Sequence, residues 1–151
     1  MFSTPIQDFE RMAELQFPLI INPANCNAEE NYPDYSLAVY TLDRRFEMDE
    51  FLDMIEMYSD LILLFRHTPT KDTDAGQSVC FYSSPRERHM FKVFARTNAS
   101  GVFETVTVTV YNSHETMRSF ILDDARNAAK LPGKIVCRSM KDIDIDFMVL
   151  P

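Results

Sequence analysis

The clearest pattern along the chain runs from Val102 to Tyr111, VFETVTVTVY. Alternation of apolar and polar side chains at period two marks a half-buried strand, and β-branched Val and Thr suit its pleated surface. Val102, Val106, Val108 and Val110 fall on one side, and Phe103, Thr105, Thr107, Thr109 and Tyr111 on the other. Just upstream, Phe91, Val93 and Ala95 alternate with Met90, Lys92, Phe94 and Arg96, which predicts a partner strand over 89–96 joined by a turn at 97–101. Setting Val93 opposite Val106 merges the two apolar faces. It also puts Arg96 near Phe103, Phe94 near Thr105 and Lys92 near Thr107.

Helical spacing appears three times. Thr4 and Pro5 open a helix to Gln16 with Ile6, Phe9, Met12, Ala13 and Leu15 on its apolar face. Met48, Phe51, Leu52 and Ile55 predict a second over 47–58. Asn112, with Glu115 three residues on, opens a third, whose stripe is Met117, Phe120, Ile121, Ala125 and Ala128 and whose stop is Leu131-Pro-Gly133. This third helix follows the valine strand directly and is expected to cover it. Shorter apolar runs predict strands at 17–21, 35–42, 79–82 and 134–139; the run 61–65 suits either an extension of the second helix or a buried strand, and its length and the preceding Ser59-Asp60 break favour the strand; alternation of Ile143, Ile145, Phe147 and Val149 with three aspartates predicts a last strand. Residues 22–34 and 68–77, rich in Asn, Pro and polar side chains, read as loops. The expected fold is a single compact α+β domain over 1–151, a mostly antiparallel sheet with about three helices packed mainly on one face.

Composition adds little to that class but bounds the function. With 46% hydrophobic and 25% charged residues among 151, the chain is an ordinary globular one. No apolar run reaches the ~20 residues of a membrane span, and no basic-then-apolar leader opens the sequence. Cys26, Cys80 and Cys137 are odd in number, widely spaced and without a CxxC pair, so a cytoplasmic setting with reduced thiols is expected. Three glycines leave no phosphate-cradling loop, and no P-loop, GxGxxG, HExxH or GxSxG occurs. No cofactor is expected.

Charge changes the picture more. The net charge of -8 is unevenly placed. Residues 1–60 hold 13 acids and three bases, a balance of -10, while residues 61–151 balance at +2. Within the acidic half, Asp49, Asp53, Glu56 and Asp60 fall at i, i+4, i+7 and i+11, one stripe along a helix, with no Lys or Arg at i+4 to offset their repulsion. Such a row resembles a line of phosphates. The leading functional expectation is therefore a non-enzymatic acidic interaction protein, for example an inhibitor occupying a basic, nucleic-acid-binding surface of another macromolecule. The plain structural explanation is a solvated helix face kept charged for solubility.

A second constellation is the outer face of the central hairpin. Lys92, Phe94, Arg96, Phe103 and Tyr111, with Arg86 and Arg88 on the preceding turn, interleave bases and aromatics, as a single-stranded RNA or DNA binder does. The sequence lacks the glycines of the RNA-recognition-motif signature. Burial of those aromatics under another layer is the competing explanation. Asp142, Asp144 and Asp146 alternate as on a charged edge strand; Phe147 stands where an EF-hand loop needs Gly, so that cation site is excluded. His67, His89 and His114 sit near no nucleophile motif, which leaves a small enzyme with a dispersed site, Cys80 with His89 or His67, as the third reading.

Overall fold

The computed structural model describes residues 3–58, 61–70 and 76–148. In chain order it builds α1 (Pro5–Gln16), a 3-10 turn (Pro23–Asn25), β1 (Cys26–Asn31), β2 (Tyr35–Glu47), α2 (Met48–Glu56), β3 (Leu61–Thr68), β4 (Ser78–Ser83), β5 (Phe91–Thr97), β6 (Val102–Tyr111), α3 (His114–Ala129), β7 (Lys134–Cys137) and α4 (Met140–Asp146). The strands form one seven-stranded sheet in the order β1-β2-β6-β5-β4-β3-β7, with every neighbouring pair antiparallel. The compact α+β fold expected from the pattern is the fold observed, with four helices among the described residues where about three were expected.

The valine strand lies inside the sheet, between β2 and β5. Val93 sits opposite Val108, Phe94 opposite Thr107 and Ala95 opposite Val106. This pairing is two residues away from the expected one. A shift of two keeps every side chain on its face, so periodicity alone does not distinguish the two registers. The turn does: Asn98 Oδ1 accepts from the backbone N–H groups of Ser100 and Val102, and Gly101 takes a φ of 80°. An irregularity between Ala95 and Thr97 then sets Phe103 opposite Thr97. There the Phe103 ring joins the valine face, 4.7 Å from that of Phe51.

Each sheet face has its own core. On one, Ile6, Phe9 and Ala13 of α1 and Phe51, Met54 and Ile55 of α2 pack on Tyr40, Phe81, Val93, Val106 and Val108. On the other, Met117, Ile121, Leu122 and Ala125 of α3 and Ile143 of α4 pack on Leu64, Phe65, Cys80, Tyr82 and Tyr111. This corrects the expectation that the helices lie mainly on one face, and that the helix after the valine strand covers the valines. β4 explains the need for both layers: all six of its residues are buried, and a strand closed on both sides requires cover on both. α3 takes the second face because Phe120 meets the rings of Tyr35 and Tyr111, at 5.0 and 5.6 Å, on the side away from the valines.

Three smaller stretches also differ from expectation. Residues 17–21 form a closed turn instead of a strand, with the N–H groups of Ile20 and Ile21 bonded to the Phe17 carbonyl. Residues 26–31, expected as loop, pair with β2 as an exposed edge; backbone hydrogen bonding makes that strand without a hydrophobic pattern. The aspartate-rich segment near the C-terminus is helical. The Ser139 hydroxyl accepts from the Asp142 N–H at 3.0 Å, and Ile143 and Phe147, four apart, both face the second core. Val149 lies outside the described residues, as do residues 71–75 of the 68–77 loop. No helix among the described residues is long and apolar enough to cross a membrane.

Candidate functional site

α2 carries the acidic row. The N-terminal turn is tied down by Glu50, whose carboxylate accepts from the Glu47 N–H at 3.2 Å and from Arg44 at 3.1 Å. These two contacts, the backbone one foremost, hold the Glu50 carboxyl below its ordinary range. Phe51 and Ile55 anchor the helix on the sheet, which leaves Asp49, Asp53 and Glu56 exposed on the outward side. Asp60 lies outside the described residues, and the helix itself ends at Glu56. Among the described residues the row is three carboxylates over two turns. Asp49 approaches Arg66 of β3 at 3.8 Å, a pair exposed enough to contribute little. Among the described residues, Asp53 and Glu56 have no ion-pair partner.

Beside the row lies an open groove of about 520 Å³. Leu52, Ile55 and Glu56 form its α2 wall; Leu61, Leu63, Phe81 and Val136 supply apolar surface from β3, β4 and β7. Leu63 is 36% exposed and Val136 56% exposed, so this is apolar sheet surface in contact with water. Met57, at 76%, stands at the C-terminal end of the same helix. The pattern gave a partial signal for these residues: the 61–65 run is apolar at every position, more than one covered face requires. Apolar spacing does not single them out, because nothing in the sequence shows that the first face of β3 lacks a helix.

The hairpin residues expected to form one basic, aromatic surface do not do so. Lys92 is turned toward α3 and pairs with Asp124 at 2.8 Å, both half-buried. Phe94 is half-buried beneath α3, 6.3 Å from the Phe65 ring. Tyr111 is buried on that face, and Phe103 is buried on the opposite one. Only Arg86, Arg88 and Arg96 of the set are exposed. The aromatics that were to stack bases are core residues, because α3 lies where an open face was expected.

The dispersed cysteine–histidine pairs are likewise part of the framework. Cys80 is buried, and burial pushes its thiol well above the ordinary range, away from the reactive thiolate. His67 is buried and directs Nε2 to the Pro132 carbonyl at 2.7 Å, fastening β3 to the loop before β7. His89 lies half-exposed in the 84–90 loop. The aspartates of α4 also hold structure. Asp144 pairs with Arg118 at 2.6 Å. Asp146 takes two hydrogen bonds from Arg138, at 2.6 and 2.8 Å, and a third from the buried Tyr82 hydroxyl. The bonds to Asp146 keep Arg138 protonated beyond its ordinary range.

The chain matches no family model, no curated protein and no solved structure.

Proposed function

We propose that this protein is a non-enzymatic interaction protein that docks against a basic surface of another macromolecule through the outer face of α2, and that it acts as an inhibitor where that surface binds nucleic acid. The observation that carries this reading is the pair Asp53 and Glu56, exposed, one turn apart and, among the described residues, without an ion-pair partner. Like charges at this spacing destabilise a helix by a few tenths of a kcal/mol each, which a bound cationic surface reverses. Net charge of -8 adds long-range attraction toward a basic partner and repulsion from polyanions.

The test is affinity capture of partners from the source cell, with and without nuclease, using the wild type and Asp49→Asn/Asp53→Asn/Glu56→Gln in parallel. The expected result is a partner that survives nuclease and binds the variant about tenfold more weakly at low salt, with a smaller gap at high salt where charges are screened. A partner held equally by the variant removes α2 from the account. One lost on nuclease treatment replaces protein with nucleic acid as the ligand.

A further inference from the structure

Over β2, β6, β5 and β4 the first sheet face is covered by α1 and α2, whereas at β3 and β7 no helix among the described residues lies on it. What remains is the groove, walled by α2 on one side and floored by Leu61, Leu63, Phe81 and Val136. Neighbouring strands lie about 4.8 Å apart, so where β7 pairs with β3, from Phe65 to Thr68, the two expose a band about 10 Å wide, which is the diameter of one helix. The space is one missing member of a helix layer. An added strand would pair at the outer edge of β7 and lie beside this space without filling it. The rim is acidic: Glu56 lines the groove, and Asp49 and Asp53 follow on the same side of α2. The cation in its wall, Arg66, is directed at Asp49.

We infer that the groove between α2, β3 and β7 seats an amphipathic basic helix of the partner, with apolar side chains on Leu63 and Val136 and Lys or Arg side chains against Asp53 and Glu56. The inference rests on the acidic-docking reading above and deepens it, from a charged face to a shaped site. A second copy of this chain is a poor occupant on charge grounds, since each copy would bring -8 to an acidic rim.

Two labelled peptides of about five helical turns make the test. One places leucines at i, i+3, i+4 and i+7 with lysines elsewhere; the other has the same composition scrambled so that no helix face is apolar. Fluorescence anisotropy is read for the wild type, Leu63→Asp, Val136→Asp and Asp53→Asn/Glu56→Gln. Val136 is half open to water, so its variant folds even if the Leu63 one does not, and circular dichroism checks both. The wild type is expected to bind the amphipathic peptide at least about tenfold more tightly than the scrambled one, about 1.4 kcal/mol. Each groove aspartate should abolish that preference. The sign is the discriminating feature: an added carboxylate strengthens purely electrostatic binding to lysines and weakens groove binding. Equal binding of both peptides, strengthened by Leu63→Asp, overturns the groove inference and leaves the acidic docking face standing. Binding unaffected by Asp53→Asn/Glu56→Gln overturns both. Self-association of the wild type at micromolar concentration, lost in Val136→Asp, overturns the inference by putting a second copy in the groove.

Discussion

Glu10 shows how a single side chain records its surroundings. It sits on α1 above Tyr40, and partial burial, followed by the nearby Glu29 and Glu14 carboxylates, raises its affinity for a proton. The Tyr40 hydroxyl, itself buried without a hydrogen bond of ordinary geometry, is a partial counterweight. A carboxyl with a raised folded pKa is protonated more readily folded than unfolded, so its penalty is full above the raised value and vanishes below the unfolded one. Glu10→Gln is therefore expected to raise the melting temperature at pH 7, with the gain disappearing as pH falls through the ordinary carboxylate range. Thermal unfolding at several pH values checks it; a gain that persists in acid would assign the effect to packing. Tyr82 offers the opposite case, a hydroxyl whose bond is needed. Tyr82→Phe removes a bond to a charged, nearly enclosed carboxylate and should cost about 1.5–3 kcal/mol in denaturant unfolding. Residue by residue, the sequence announced the acids and bases but not their partners: Lys92 with Asp124 and Arg138 with Asp146 meet only because α3 and α4 fold back on the second face.

At the scale of elements, long periodic segments were legible and short ones were not. α1, α2, α3 and the strands from β3 to β6 follow from apolar spacing with ends shifted by a few residues. β1 was invisible because an edge strand of Asn and Glu forms by lending its backbone to β2 and buries almost nothing. α4 was misread because Asp-Ile-Asp-Ile-Asp satisfies period two, while the deciding signals, Ser139 as cap and Phe147 four residues after Ile143, are helical. The cap of α3 carries its own test. Ser113, one residue beyond the expected Asn112, accepts from the Thr116 N–H at 3.1 Å, and Ser113→Ala should cost about 1 kcal/mol while Asn112→Ala leaves that cap intact. In the valine strand, Val108→Ala should cost about 1–3 kcal/mol, since the side chain is fully buried against the α1–α2 layer. A loss within error in either variant would contradict the described packing.

For the molecule as a whole, the sheet ends in β1 on one side and β7 on the other. β1 presents Glu29 and Glu30 along its length, inward and outward charge that repels a second strand. Glu29→Thr/Glu30→Val is expected to shift the protein toward larger species than the wild type in light scattering, most strongly at high salt; an unchanged size would show that charge is not what protects that edge. The candidate site was half legible at this scale. The acidic row could be read from spacing, but the groove is a property of strand order, because it exists only where β3 and β7 extend past the reach of α2.

That strand order also sets a timetable. β2 pairs with β6, from Tyr35 with Tyr111 to Glu47 with Val102, partners roughly 55 to 75 positions apart, whereas β4, β5 and β6 are joined by short connections. A ribosome adding about 5–20 residues per second leaves β2 for several seconds with β1 as its only neighbour in the sheet. During that interval Ala38, Tyr40 and Leu42 wait in water for a face that has not yet been made. An apolar face that the native sheet closes off is thus one that a nascent chain shows for seconds, and holdase chaperones should meet this protein there.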